Sequence, residues 1–253
     1  MTDLKVDNLT MIREGRQVVR SVSFQAGPGE LIALIGPNGA GKTSLVRGLL
    51  GGEPREAGTA TLGGAEIAQL PPAERARRLA YLPQDRPPPW PMSVREMVAL
   101  GRFSYGAALG RLKGQDLRAV MQALVRCDLV ALADRPATRL SGGELARVHF
   151  ARAFCSEAPM LIADEPLAGL DPYHRLTLLA LLKGMVEQGG CVLMILHDLS
   201  LVCQYATRVL VMVDGRLVAD GPPQEVLTPP LIERVYQVKA RVEAGAVHLT
   251  API

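Results

Sequence analysis

Several scarcities restrict what this chain of 253 residues can be. The chain has four cysteines (Cys127, Cys155, Cys191 and Cys203), and none belongs to a C-x-x-C pair, which argues against a thiol redox motif and predicts reduced thiols. The formal net charge is only +3, which gives no argument for nucleic acid as a partner. No apolar run is long enough to cross a bilayer, and the N-terminus has no apolar stretch of signal-peptide length. We therefore expect a folded protein that serves a membrane, if at all, from the water side through a partner.

What the chain has instead is an alternation of strands and helices. Apolar runs predict strands at residues 4–10, 17–26, 31–35, 59–62, 80–82, 160–163, 192–196, 209–213 and 216–219. Helical patterns cover residues 42–50, 72–78 and 174–188, and residues 93–156 are helical with no convincing strand. This order predicts an α/β fold with a mostly parallel sheet, an antiparallel N-terminal β part and an inserted helical subdomain.

A glycine-rich loop is the first motif that carries chemistry. Residues 36–43 fit the pattern G-x-x-x-x-G-K-[S/T], between a buried strand and a helix. The glycines let backbone N–H groups surround a polyphosphate, Lys42 would hold the β- and γ-phosphates, and Thr43 would place its hydroxyl on Mg²⁺. The sequence therefore predicts a P-loop NTPase (RecA-like) core. The loop residues expected to bind ATP are Gly36, Pro37, Asn38, Gly39, Ala40, Gly41, Lys42, Thr43 and Ser44.

Polar side chains follow three other predicted strands, at the sheet edge where α/β proteins bind ligands. Asp164 and Glu165 follow the strand at 160–163; Asp164 would hold Mg²⁺ through its water shell, and Glu165 would orient and polarise the attacking water. Without the loop, such a pair would more often be a helix N-cap. His197 follows residues 192–196 and is expected to contact the γ-phosphate. Gln84 follows residues 80–82 and can bond metal-bound water.

Together with Ser141-Gly142-Gly143-Glu144, these motifs resemble those of the ATP-binding subunits of ABC transporters over essentially the whole chain. In family terms, residues 36–43 are the Walker A loop, Gln84 belongs to the Q-loop, residues 140–144 are the signature, residues 161–165 the Walker B strand, Asp171 lies in the D-loop, and His197 is the switch histidine. The resemblance implies one ABC ATPase domain over residues 1–253. Its nucleotide-binding core would be residues 1–88 and 157–253, and its helical subdomain residues 89–156.

The resemblance also implies that the protein works as a homodimer. Ser141 and the N–H groups of Gly142 and Gly143 would bind the γ-phosphate of ATP held by the other subunit, at the start of a helix over residues 144–154. Two ATP molecules would be sandwiched head to tail, and hydrolysis would release the pair. Glu144 stands where many members carry glutamine. Arg13 stands where an aromatic residue usually stacks on adenine; an arginine plane can also stack, so we expect Arg13 to bind ATP with less secure base selectivity.

The transported substrate is suggested by finer similarities. Residues 79–84, 93–102 and 220–227 resemble importers of iron–siderophore complexes, haem and vitamin B12. This similarity implies two polytopic membrane permease subunits as partners and, indirectly, a periplasmic or surface substrate-binding protein. It also implies a peripheral location at the cytoplasmic face of the inner membrane. Residues 86–95 would dock the membrane subunit, with Trp90 in an apolar contact or only in local loop packing.

Two other classes of function compete with this interpretation. A soluble ABC ATPase that moves no cargo, for DNA repair, cluster assembly or translation, would lack membrane partners; repair members carry a long coiled coil that is absent here, and translation members carry two cassettes. A nucleotide-gated binding module without hydrolysis is the second alternative, and Glu165 argues against it.

Overall fold

The computed structural model of the protein describes residues 3–84, 91–107, 110–243 and 245–253. The chain forms two units, one made of Met1–Leu70 and Val186–Ile253 and the other of Pro71–Met185. The predicted helical segment 89–156 lies within the second range, and its role as a functional subdomain stays a prediction. Trp90 and the first half of the predicted docking segment 86–95 lie outside the described residues.

Strands and helices alternate along most of the described chain. The strands are β1 (Leu4–Arg13), β2 (Arg16–Ala26), β3 (Leu31–Ile35), β4 (Ala57–Leu62), β5 (Ala65–Glu66), β6 (Leu79–Leu82), β7 (Met160–Ala163), β8 (Cys191–Ile195), β9 (Arg208–Val213), β10 (Arg216–Gly221), β11 (Val238–Glu243) and β12 (Ala246–Pro252). The helices are α1 (Lys42–Leu49), α2 (Pro72–Arg78), α3 (Val94–Ala99), α4 (Gly114–Arg126), α5 (Gly142–Cys155), α6 (Pro172–Glu187), α7 (Leu199–Tyr205), α8 (Pro223–Val226) and α9 (Pro229–Tyr236).

The first unit contains an antiparallel sheet and a largely parallel one. The antiparallel sheet has the order β2-β1-β4-β5, and alternate residues of β1 such as Leu4 and Val6 are buried. In the other sheet β3 lies between β8 and β9 and is parallel to both, while β10 pairs antiparallel with β9. Every residue of β3 and β8 is buried, as expected for strands covered on both faces. The predicted parallel strands and antiparallel N-terminal part are therefore confirmed.

The second unit combines a short parallel strand pair with helices. β6 and β7 are parallel neighbours, and α5 packs against α3 and α4. The close approach of the segment after α3 to α5 depends on Gly101, where an added Cβ atom would lie 2.3 Å from the carbonyl oxygen of Arg152. Within the described ranges, no helix has the length and apolar character that would let it cross a membrane.

Most predicted boundaries are shifted by one to three residues, and several elements were missed. β8 comprises Cys191–Ile195 instead of residues 192–196, and α5 begins at Gly142 instead of residue 144. The C-terminal hairpin of β11 and β12 and the short helices before it were not predicted. The hairpin buries only small or isolated apolar side chains, such as Ala240 and Val247, so its alternation is weak in the sequence.

Candidate functional site

The glycine-rich loop of the first unit has a backbone that only glycine permits at two positions. Gly36 has φ 145°, and a Cβ atom there would lie 2.0 Å from the carbonyl oxygen of Met212. Gly41 has φ 97°, and its Cβ would lie 2.2 Å from the carbonyl oxygen of Val18. The loop is therefore wedged between β9 and β2, and Gly41 leads directly into α1.

Lys42 and Ser44 are the buried polar side chains of this loop and the helix start. Lys42 is 6% exposed, and its ammonium donates hydrogen bonds to the carbonyl oxygens of Gly36 (2.7 Å) and Pro37 (2.9 Å). The side chain thus folds back over the loop instead of extending into water. A cation held beside a helix N-terminus creates a positive surface suited to a polyphosphate.

His197 leaves the sheet at the same edge as the glycine-rich loop. Leu34 of β3 is in register with Ile195 of β8, so Gly36 and His197 both follow two residues later on parallel neighbouring strands. Adjacent strands lie about 4.8 Å apart. The first unit therefore brings the loop and His197 together, as the sequence predicted, and Asp198 beyond it caps α7 by accepting hydrogen bonds from Ser200 (3.0 Å) and Leu201 (3.1 Å).

Arg13 lies at the end of the β1–β2 hairpin, opposite Arg16. Both side chains are exposed. The hairpin approaches the glycine-rich loop two residues further along β2, where the Val18 carbonyl oxygen would lie 2.2 Å from a Cβ atom at Gly41. The hairpin therefore presents two guanidinium groups, and no aromatic ring, near the phosphate-binding loop.

In the second unit, Asp164 and Glu165 leave β7 beside Gln84. Leu82 pairs with Ala163, and the backbone N–H of Asp164 donates to the Leu82 carbonyl at 2.8 Å. Asp164 is 1% exposed, whereas Gln84 is exposed and Glu165 half-buried. Glu165 adopts φ 47°, a left-handed conformation that costs free energy in a non-glycine residue.

Residues 141–144 form a helix capping box at the start of α5. The Ser141 hydroxyl accepts from the Glu144 N–H (3.3 Å), and the Glu144 carboxylate accepts from the Ser141 N–H (2.7 Å). The hydrogen bonds from Ser141, backbone first, lower the pKa of Glu144. Glu144 therefore stabilises the turn as an anion, which explains how glutamate is accommodated at this position. Gly142 and Gly143 are the first two residues of α5.

Asp171 precedes α6 and accepts two hydrogen bonds from a residue that the sequence analysis did not single out. The His174 N–H donates to Asp171 Oδ1 at 2.9 Å, and His174 Nδ1 lies 2.7 Å from Oδ2. These bonds, backbone first, lower the pKa of Asp171. The D-x-x-H spacing at the predicted helix start was the signal available in the sequence.

The donors predicted for Mg²⁺ are the hydroxyl of Thr43, the amide of Gln84 and the carboxylate of Asp164. All three are oxygen donors, which Mg²⁺ prefers. In the described ranges, no three or more His, Cys, Asp or Glu side chains are grouped as metal ligands. A single protein carboxylate fits an ion that takes its other ligands from phosphate and water.

The glycine-rich loop, the buried lysine and the parallel strands define a P-loop nucleotide hydrolase. The family model for the ABC transporter matches residues 19–168. The chain belongs to the ABC transporter family, as one of its ATP-binding, ATP-hydrolysing subunits.

Individual relatives and solved structures agree with this assignment. The chain is 39% identical to the hemin import ATP-binding protein HmuV of Rhodococcus jostii, over 92% of this chain and 79% of that protein. It is 42% identical to the protein of the same name in Mesorhizobium japonicum, over 90% of this chain and 89% of the relative. A solved ATP-binding cassette of an ABC transporter in its ADP conformation superposes with a TM-score of 0.83 at 25% identity, covering 93% of this chain and 98% of that one.

Proposed function

We propose that this protein powers the import of haem, as the ATP-hydrolysing subunit of an ABC importer. The observation that carries the proposal is the agreement of its relatives: proteins named for hemin import match at 36–42% identity over 90% or more of this chain. Siderophore and vitamin B12 uptake, which the sequence motifs left open, become the alternative outcomes of the test.

The proposed catalytic cycle assigns one task to the glycine-rich loop and one to each polar side chain that follows a strand. Lys42 and the loop N–H groups hold the phosphates of ATP, and His197 contacts the γ-phosphate from the neighbouring strand. Glu165 positions the attacking water and polarises it. Gln84, which follows β6, bonds metal-bound water. Arg13 stacks its guanidinium plane on the adenine base.

Mg²⁺ fits the oxygen donors of Thr43, Gln84 and Asp164. When bound, it would neutralise charge on the β- and γ-phosphates. The protein's own contribution is to keep Asp164 buried at the end of β7, where its backbone N–H donates to the Leu82 carbonyl.

The proposed assembly is a homodimer in which residues 141–144 of each subunit complete the nucleotide site of the other. Two permease subunits in the inner membrane would bind the dimer at its cytoplasmic face, and a binding protein outside would deliver the cargo. The helical subdomain 89–156 would carry the signature turn and most of the docking segment 86–95.

The test is a transport assay in proteoliposomes that contain this protein and the membrane permease that co-purifies with it. We expect haem with its binding protein to stimulate ATP hydrolysis and to accumulate in the lumen. The Glu165→Gln variant, a close steric match, should assemble equally well and transport nothing.

The outcomes separate the alternatives. Stimulation by a siderophore complex or by cobalamin, and not by haem, would refute the proposed cargo. Full ATPase activity with no association to any membrane protein would favour the soluble alternative. Hydrolysis by Glu165→Gln at the parental rate would refute the role of Glu165.

A further inference from the structure

His174 connects two segments of the second unit that are far apart in sequence. It lies in the first turn of α6, where its backbone N–H and its ring nitrogen Nδ1 both contact the carboxylate of Asp171, at 2.9 and 2.7 Å. Two contacts to one carboxylate fix both the position and the rotation of the imidazole. The side chain of His174 is 22% exposed and that of Asp171 is 58% exposed.

The rest of the imidazole covers Gly143 of the signature turn. A Cβ atom at Gly143 would lie 2.7 Å from Cε1 and Nε2 of His174 and 2.8 Å from Cδ2. Carbon atoms do not approach this closely without repulsion, so the ring occupies the volume that any side chain at position 143 would need. Gly143 lies in the first turn of α5, where other residues also adopt the helical backbone. The ring of His174, and not backbone torsion, therefore demands glycine here.

The tautomer follows from the hydrogen bond to Asp171. A carboxylate only accepts, so Nδ1 carries the proton in the neutral ring. The Cβ position at Gly143 is nearly equidistant from Cε1, Nε2 and Cδ2, at 2.7, 2.7 and 2.8 Å, so the face of the ring lies over Gly143.

From this arrangement we propose that His174 is a positioning residue that couples Asp171 to the signature turn of the same subunit, so that both reach the partner's nucleotide in fixed register. The contact with the Asp171 carboxylate fixes the orientation of the imidazole ring of His174. The ring in turn fixes the distance between His174 and Gly143. This inference rests on the proposed head-to-tail dimer, because only there do both segments act on one nucleotide site.

The coupling makes a prediction that simple helix packing does not make. Loss of the ring should leave binding of ATP to the subunit's own Walker loop unchanged, because that loop belongs to the first unit. It should weaken the step in which two ATP-loaded subunits associate. A residue with a purely structural role would instead lower thermal stability and affect both measurements.

The experiment uses the full chain in the Glu165→Gln background, where ATP should trap the dimer. Affinity of the single subunit is measured with a fluorescent ATP analogue, and the dimer dissociation constant by sedimentation. For His174→Ala we expect an unchanged subunit affinity and a dimer weakened on the order of tenfold, from the loss of a charge-assisted hydrogen bond and a ring contact. His174→Asn, whose amide can still donate to Asp171, should recover part of the loss.

His248→Ala is the matched control, because His248 is an exposed histidine on β12 in the first unit. It should behave as the parent does. A further pair tests the steric link directly: Gly143→Ala should weaken the dimer, and adding His174→Ala should restore part of the association by opening space for the methyl group.

Three results would overturn the inference: a His174→Ala dimer as tight as the parent, equal losses in subunit affinity and dimerisation, or a double variant no better than Gly143→Ala. If the parent Glu165→Gln protein itself failed to dimerise with ATP, the proposed function would fall, and the inference with it. That result is distinguishable because the control would fail as well.

Discussion

The replacement of Arg102 by methionine should destabilise the second unit strongly. The side chain of Arg102 is 1% exposed and donates to Asp116 Oδ1 at 2.9 Å, to Glu157 Oε2 at 2.6 Å and to the Cys155 carbonyl at 3.1 Å. The ring of Tyr105 lies 3.7 Å from the guanidinium carbon. One cation thus joins the segment after α3 to the start of α4 and to the end of α5.

The expected loss in the free energy of unfolding depends on how far water can reach the groups that Arg102 no longer pairs with. Breaking a fully buried ion pair costs about 3–5 kcal/mol. The side chains of Asp116 and Glu157 are 28% and 44% exposed, so water can rehydrate both carboxylates and reduce this cost. The Cys155 carbonyl loses a buried donor, which adds about 1–3 kcal/mol. We therefore expect Arg102→Met to lower the free energy of unfolding by about 3 kcal/mol.

Urea denaturation, with hydrogen exchange to locate the change, measures this effect. A loss of about 3 kcal/mol corresponds to a decrease in Tm of roughly 6–12 °C for a chain of this size. Amides at the end of α5 should exchange faster, while those of β3 should change less.

Arg95→Met is the control, because Arg95 pairs at 3.2 Å with Asp134, whose side chain is 86% exposed. An exposed pair contributes at most about 1 kcal/mol. If Arg102→Met cost no more than Arg95→Met, the reasoning from burial and the three acceptors would be refuted.

Three further predictions concern the glycine-rich loop, the signature turn and the thiols. Gly41→Ala would place its methyl group 2.2 Å from a β2 carbonyl oxygen, so ATP affinity should fall more than tenfold in a nucleotide titration. Gly39→Ala, with nothing within 4 Å, should have the smaller effect, and equal losses would contradict the steric argument. Ser141→Ala removes the side-chain hydrogen bond that helps to lower the pKa of Glu144, so NMR titration should show that pKa rising, and an unchanged value would contradict this contribution of the Ser141 hydroxyl. Because that pKa is depressed, its stabilisation is present above the ordinary glutamate pKa and is lost as the pH falls through the lowered value. Iodoacetamide at pH 8 should modify Cys203 first, since it is only partly buried, and intact-mass spectrometry showing a different order would contradict this. Burial raises the pKa of the other thiols to about 12; they are Cys127, Cys155 and Cys191.

Two buried strands and one short helix have the limits that were predicted, because neighbouring residues in the sequence determine where each of them begins and ends. β3, β7 and α2 begin and end where the sequence predicted. Each of the two strands is a continuous apolar run that ends at a glycine or an aspartate, and α2 starts at a proline after a proline. The roles of the individual site residues remain predictions, although their strand-end positions were anticipated correctly.

The C-terminal hairpin was not predictable in the same way. β12 is held by a contact between Ser200 and Val247, in which the hydroxyl of Ser200 lies 3.2 Å from the Val247 carbonyl oxygen and 3.3 Å from its nitrogen. The sequence around Ser200 and around Val247 contains no local pattern that predicts this contact. Residues 47 positions apart meet only because of the path of the chain.

The sequence by itself determined the chemistry of this protein. A loop that surrounds phosphate needs glycines, a lysine and a hydroxyl within eight consecutive residues, and such a motif is legible without knowing where the rest of the chain goes. Only the tertiary structure decided that His174 covers Gly143 and that Arg102 joins three segments. Those contacts depend on side chains meeting across long sequence separations, and packing in three dimensions, not local spacing, brings them together.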